Sequence, residues 1–300
     1  MWKSLLLGGA LSLALAACSS SQAPAGSAAG TAASTAGAAQ ASSVAVPAST
    51  ASAAGAASVA AAASTATSSV PASPASSGGG TPVAAPADTG QWVEGKNYFR
   101  IEPALPTDHP DHVVVAEVFS WGCPACNQFQ SYADLIRKSL PAYVHWQYVP
   151  AAFIPPEDWP LFQRAYYTAQ ALGLDNPTTH DAMFKAIWTP GGPLNTYTGL
   201  GTAQPRVKHN LPTLADVARF YAKYGVDPKT FEATAESFAV NARMKRADQL
   251  IKAYGVDSTP TIVVNGTYRL NVASAGGLAQ TQQLVHYLAQ KEAAAMHLKQ

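Results

Sequence analysis

Apolar residues are spaced in three ways along the C-terminal two thirds of the chain. Val113-Val114-Val115-Ala116-Glu117-Val118-Phe119 is a near-continuous β-branched run, the pattern of a strand buried on both faces. After it, Cys126, Phe129, Ala133, Ile136 and Leu140 recur at steps of three and four. That period predicts an amphipathic helix, with Pro124 suited to its first turn and Pro141 beyond its end. A second strand is expected over Tyr143–Val149, which completes a β-α-β unit. Upstream, Tyr98–Ile101 reads as a short strand, and Pro103, Pro106 and Pro110 break any regular element after it.

A helical region follows. Leu161–Leu172 is one helix, closed by Gly173, and Thr178–Ile187 is a second. Thr189–Pro212 reads as a Gly/Pro/Asn-rich loop. Thr213 with Asp216 forms a capping pair for a helix that runs to Tyr224-Gly225. Asp227-Pro228 opens another helix as N-cap and first-turn proline, and a longer one spans Phe238–Tyr254. The period then returns to two. Thr261–Val264 and Thr267–Leu270, joined by Asn265-Gly266, predict a hairpin with a two-residue turn. A last helix is expected over Leu278–Ala295. The order defines an α/β fold with a core at 91–150 and 251–300, interrupted by a helical insertion at 151–250.

The first part of the chain has no such pattern. Residues 19–90 are almost entirely Ala, Ser, Thr, Gly and Pro and cannot bury enough apolar surface to offset the entropy of ordering them. This tract reads as a linker with an end-to-end distance of roughly 45–50 Å, stiffened by Pro71, Pro74, Pro82 and Pro86. Before it, Lys3 and the apolar run Leu5–Ala17 form an export signal, too short for a bilayer span of about 20 residues. Leu15-Ala16-Ala17-Cys18 resembles a lipobox, which makes Cys18 the expected site of lipidation and residues 1–18 the signal. Ordinary cleavage after Ala14-Leu15-Ala16 is the alternative and would leave the protein soluble. Formal net charge is +1 with no basic stripe, which argues against nucleic acid as a partner.

Three cysteines occur in the chain. With Cys18 assigned to a lipid, Cys123 and Cys126 remain as one close pair. A bridge over so short a loop adds little stability, so chemistry explains the pair better. Cys123-Pro124-Ala125-Cys126 stands just after the buried strand, at a helix start. There, free N–H groups and the helix dipole stabilise a thiolate. Cys123 is therefore expected to be the nucleophile and leaving group, and Cys126 the buried resolving thiol. A zinc half-site would need further ligands. His109 and His112 lie at the far end of an extended run, roughly 26 Å away, and read as solvated loop residues. No metal or separate cofactor is expected.

Two further signals stand near the pair. Thr259-Pro260, directly before a core strand, predicts a cis peptide packed against the active-site helix, with Thr259 presenting backbone groups to an extended substrate segment. Glu117 is a carboxylate inside an apolar strand, expected beneath Cys126 as a proton relay. Trp121 is expected to lie exposed beside the cysteines as a contact surface.

The stretch Glu117-Val118-Phe119-Ser120-Trp121-Gly122-Cys123-Pro124-Ala125-Cys126-Asn127-Gln128-Phe129 resembles the active-site segment of the DsbA family. So do Gly95-Lys96-Asn97-Tyr98, Ser237-Phe238-Ala239-Val240, Gly255-Val256-Asp257-Ser258-Thr259-Pro260-Thr261 and Val264-Asn265-Gly266. The resemblance spans essentially the whole patterned region. It implies a thioredoxin fold with a helical insertion, and a periplasmic dithiol oxidase that acts on exported proteins bearing free thiols. It also implies a DsbB-type, quinone-linked membrane partner as reoxidant. Three positions depart from the family. Ala125 stands where the best-known members have a thiolate-stabilising His, which points to a weaker oxidant. Thr259 replaces the frequent Val before the proline, as in isomerases of the DsbC and DsbG type. Gln130 stands where an acidic residue is common.

Three functions compete at this stage: a disulfide donor, a reductase or isomerase of the same fold, and a tethered chaperone-like binder. DsbC-type isomerases dimerise through an extra N-terminal domain. Here only the linker precedes the core, which favours a monomeric oxidase held to a membrane by lipid alone.

Overall fold

The computed structural model describes residues 80–300. Cys18, the export segment and most of the linker lie outside the described residues. The central sheet has five strands, in the order β1 (Phe99–Arg100), β7 (Tyr268–Leu270), β6 (Thr261–Val264), β2 (Val113–Phe119) and β3 (Val144–Pro150). β2 and β3 run parallel, and every other pairing is antiparallel. Every residue of β2 is buried, as its unbroken apolar run requires. Val113 and Val115 pack toward Ile262, Val264 and the apolar face of helix α1 (Pro124–Ser139). Ala116 and Val118 pack on the opposite face, against the insertion. The sheet therefore separates two cores, and the helix that carries the cysteines lies across one of them.

The insertion holds α2 (Trp159–Ala171), α3 (Pro177–Trp188), α4 (Leu214–Ala222), α5 (Pro228–Ala235) and α6 (Phe238–Ala253). Side-chain caps fix several starts. Thr213 and Asp216 form the expected capping box, and Asp227 caps α5 through Thr230. Such caps contribute about 1 kcal/mol each. α2 begins two residues earlier than its period indicates, because Trp159-Pro160 supplies the first turn. The region read as a loop contains a small hairpin, β4 (Tyr197–Thr198) paired with β5 (Arg206–Val207).

After β6, Asn265 and Gly266 both take positive φ, as a tight hairpin demands. The ladder resumes at Tyr268 opposite Val264, so Thr267 belongs to the turn. A single-turn helix, α7 (Val272–Ala275), precedes α8 (Leu278–Ala295), whose bounds match the sequence expectation.

The fold takes in residues before 91. Val83 is buried at 5 % exposure, its N–H donates to Leu298 O at 2.9 Å, and Gln300 N–H donates to Thr81 O at 2.9 Å. Gln290 Nε2 adds a bond to Ala84 O at 2.9 Å. Residues 81–84, placed by composition in the linker, are thus strapped to the chain's last residues. Composition alone gave no hint of this, because the pairing partner lies at the opposite end of the chain.

Candidate active site

β2 ends at Phe119, and four residues, 120–123, lead from it into α1. Ser120 shapes the turn: its Oγ accepts from Gly122 N–H at 3.1 Å and its carbonyl from Cys123 N–H at 3.1 Å. Gly122 is needed there because a Cβ would lie 2.7 Å from Trp159 Cδ1, closer than packed atoms allow. Cys123 is the N-cap of α1, and its sulfur accepts from Cys126 N–H at 3.3 Å. Pro124 occupies the first turn, where a missing N–H costs nothing. Pro124 and Ala125 are exposed, whereas both cysteines are buried and carry free thiols.

The two sulfurs are driven apart chemically. The Cys126 thiol donates to Cys123, and the Thr259 side chain and the backbone N–H groups of Cys126 and Ala125 act in the same direction. Against the opposing effect of burial, they hold the Cys123 thiol down to about 6. Burial, the donated hydrogen bond and the nearby Cys123 and Glu117 charges push the Cys126 thiol well above its ordinary value. At neutral pH the outer sulfur is a thiolate, and the inner one keeps its proton. This is the division of labour that dithiol exchange needs. Without a histidine between the cysteines, backbone and side-chain dipoles carry the stabilisation.

Thr259-Pro260 has a cis peptide bond, as its place before β6 leads one to expect. Thr259 lies beside the reactive sulfur, with its carbonyl 3.5 Å from Cys123 Sγ. Two segments separated by 136 positions thus meet at one atom pair. Glu117 sits mid-strand on β2, opposite Ile262 and Tyr148. It is 1 % exposed, and its Oε2 has no hydrogen-bond partner. Burial first, then the Cys123 and Asp134 charges, pushes its carboxyl up to about 8. It is therefore a neutral acid across most of the physiological range.

Trp121 corrects an expectation. It is buried at 2 % exposure, with its ring 5.5 Å from His180 and 5.8 Å from both Phe119 and Tyr166. Helices of the insertion cover it, a long-range effect invisible in local pattern. Its carbonyl accepts from the Trp188 indole at 2.8 Å, so it joins the insertion to the active-site turn and offers no open contact surface. His109 is likewise not a freely solvated residue. It is half-buried, with its ring 3.9 Å from that of His145. Among the described residues, no group of three His, Cys, Asp or Glu side chains is placed to hold a metal ion. Gln130, the departure from an acidic residue, donates to Asp181 on α3 at 2.8 Å.

One residue near the dithiol gave no sequence signal. Tyr197, on β4, stacks on Trp188 with ring centroids 5.5 Å apart. Burial first, then the Glu157 carboxylate and the Cys123 charge, push its phenol above the ordinary value. A β-strand of two residues leaves too short a period to read. An aromatic residue inside a Gly-rich loop was the one available cue.

A low-pKa thiolate capping a helix, one turn from a buried partner thiol and beside the loop before β6, defines a thiol:disulfide oxidoreductase of thioredoxin fold. Comparison with known proteins agrees. No family model matches the chain. The thiol:disulfide interchange protein DsbA of Pseudomonas aeruginosa is 34 % identical over 209 residues, 70 % of this chain and 90 % of that protein. The DsbA of Azotobacter vinelandii is 32 % identical over 201 residues, 67 % of this chain and 85 % of its own length. The crystal structure of P. aeruginosa DsbA superposes with a TM-score of 0.58 at 33 % identity, covering 69 % of this chain and 97 % of that one. DsbA from Xylella fastidiosa gives 0.58 at 30 % identity, covering 68 % and 99 %. The chain belongs to the DsbA family of thiol:disulfide interchange proteins.

Proposed function

We propose that the protein donates a Cys123–Cys126 disulfide to thiol pairs in exported proteins, in the periplasm. A substrate thiolate attacks Cys123 Sγ and the intramolecular S–S bond breaks. Its electron pair leaves on Cys126, which takes a proton; Glu117, neutral and buried nearby, is the proposed source. A second substrate thiolate then attacks the substrate sulfur of the mixed disulfide, and Cys123 departs as a thiolate. The substrate gains a disulfide, and the protein is left as a dithiol. Thr259 lines the substrate segment beside Pro260, and the exposed Pro124-Ala125 pair leaves the Cys123 side open to approach. A DsbB-like, quinone-linked membrane protein accepts the two electrons on reoxidation.

The observation that carries this reading is the separation of the two thiols, one favoured as thiolate and one as thiol. A good leaving group at Cys123 stabilises the reduced form and so makes the disulfide oxidising. Reduction potential against glutathione tests it. A value between about −120 mV and −200 mV is expected, weaker than the strongest DsbA oxidants because Ala125 supplies no His donor. A value near the roughly −270 mV of thioredoxin would overturn the donor reading in favour of a reductase.

The signal-and-linker division is part of the same proposal. Residues 1–18 direct export, Cys18 carries the lipid, and the tract after it tethers a monomeric domain to the membrane. No helix among the described residues is long and apolar enough to cross a bilayer, so the lipid is the proposed anchor. Cys18→Ala is expected to move the protein from the membrane fraction to the soluble periplasmic fraction, and unchanged membrane association would count against lipidation.

A further inference from the structure

The turn that presents the dithiol, residues 120–123, is buried throughout, so each of its backbone groups needs a partner. Within the turn, Gly122 N–H donates to Ser120 Oγ and Cys123 N–H to Ser120 O, each at 3.1 Å. The Trp121 carbonyl has no such local partner, since no backbone N–H among the described residues is bonded to it. Its hydrogen bond comes from the insertion. Trp188, the last residue of α3 and 67 positions along the chain, donates its indole N–H to that oxygen at 2.8 Å.

The indole is held in place from behind. Its ring stacks on Tyr197 with centroids 5.5 Å apart and an interplanar angle of 27°. The chain after α3 folds back to bring that tyrosine in. A Cβ on Gly192 would run into the Ala186 carbonyl, so glycine permits the return. Leu194 N–H then donates to Ala186 O at 3.1 Å, and Leu194 is fully buried. Asn195 Oδ1 accepts from Tyr197 N–H at 2.9 Å. A second helix of the insertion also meets the turn, where Trp159 and Phe162 of α2 pack on Gly122.

The peptide between Trp121 and Gly122 is thus pinned at both ends, its oxygen by Trp188 and its N–H by Ser120. Cys123 is the next residue, and its place as N-cap brings the sulfur onto Cys126 N–H at 3.3 Å. Without the indole N–H, a buried carbonyl would be left unpaired, which is costly. The peptide relieves that cost by rotating toward water. Rotation draws Gly122 N–H off Ser120 and Cys123 off the helix start, and the bonds that favour a thiolate weaken.

We propose that Trp188 is a positioning residue for thiol exchange: through the Trp121 carbonyl it fixes the turn that carries Cys123, and so tunes the reactivity of that sulfur. The effect acts on Cys123 whether the protein donates a disulfide or reduces one, so it does not depend on the direction of exchange.

The test compares the wild type with Trp188→Phe, which keeps a ring against Tyr197 and removes the N–H. Two quantities are measured on the full chain. One is the midpoint of thiolate formation at Cys123, read by ultraviolet absorbance of the reduced protein. The other is the equilibrium constant with glutathione at neutral pH. Both are properties of the folded molecule, so a loss of stability alone moves neither. From about 6 in the wild type, the midpoint is expected to rise by about half a pH unit to one pH unit in Trp188→Phe. The glutathione equilibrium is expected to move toward the disulfide form by about two- to fivefold. The direction follows from linkage: a less favoured thiolate stabilises the reduced protein less, so the variant is the weaker oxidant. Replacement of Trp188 by benzothienylalanine, which has sulfur in place of the indole N–H and otherwise keeps the ring system, is expected to give the same changes. It carries the test should Trp188→Phe not fold. Wild-type values of both quantities in a folded variant would overturn the inference. A wild-type midpoint near the roughly 8.5 of a free cysteine would overturn it together with the assignment of Cys123 as a favoured thiolate.

Discussion

Cys123→Ser is expected to reduce dithiol oxidation to the uncatalysed background. Serine at the N-cap of α1 can still accept the Cys126 N–H that now reaches the sulfur at 3.3 Å, so the helix start is preserved. What disappears is the atom that is attacked. Without it no intramolecular disulfide exists to donate, and Cys126 is too deeply buried and too basic to replace it. Cys126→Ser gives the complementary outcome. Cys123 remains a low-pKa thiolate that exchanges with substrate disulfides. No neighbouring thiol can then release the mixed disulfide, so covalent adducts accumulate and are read by non-reducing electrophoresis or mass. Residual turnover in Cys123→Ser, or no adducts in Cys126→Ser, would contradict the assigned roles.

Glu117→Gln is expected to make the oxidised protein more stable at alkaline pH than the wild type, by an amount that grows with pH. The carboxyl titrates near 4.5 in the unfolded chain and is pushed up to about 8 in the fold, chiefly by burial. A raised folded-state value means that the neutral acid's contribution is fully present below pH 4.5. It is lost as pH rises toward 8, where the fold must hold an unpaired buried charge. Each pH unit in that window costs about 1.4 kcal/mol, so the difference between variant and wild type should widen by roughly 3–5 kcal/mol. Using the oxidised form removes the titration of the cysteines from the comparison, and with it the Cys123 charge that adds to the shift, so burial carries the effect and the widening is expected toward the lower end of that range. Urea unfolding at several pH values reads the effect, and a pH-independent difference would mean that Glu117 is ionised throughout. A buried acid kept at this energetic cost is expected to have a use, and slower proton delivery to Cys126 in Glu117→Gln is the corresponding kinetic signature.

Much of this site is legible in the sequence itself. The β-branched run of β2, the three-and-four spacing of α1 and the position of the cysteines between them are local features. They fix where Cys123 stands and why its thiolate is favoured. Asn265-Gly266 and the capping pair at Thr213 and Asp216 were equally plain, because their signals lie within a few residues. Long-range contacts were not legible. Trp121 reads as an exposed aromatic beside a reactive pair, and only the placement of Tyr166 and His180 from the insertion buries it. Tyr197 is silent for the same reason, since the Glu157 carboxylate that helps push up its phenol belongs to a turn 40 positions away. Residues 81–84 are small or apolar in a stretch of similar composition, and nothing in them announces a partner at residues 298–300.

That strap bears on how the domain withstands mechanical load. Any pull on the chain at residue 80 enters through the pairing of residues 81–83 with Leu298 and Gln300 and the bond from Gln290. These few bonds join the segment at 81–84 to α8 and the residues after it, and α8 packs in turn on the sheet that carries the dithiol. A pull at residue 80 is thus met first by this strap, ahead of β1 and the rest of the sheet.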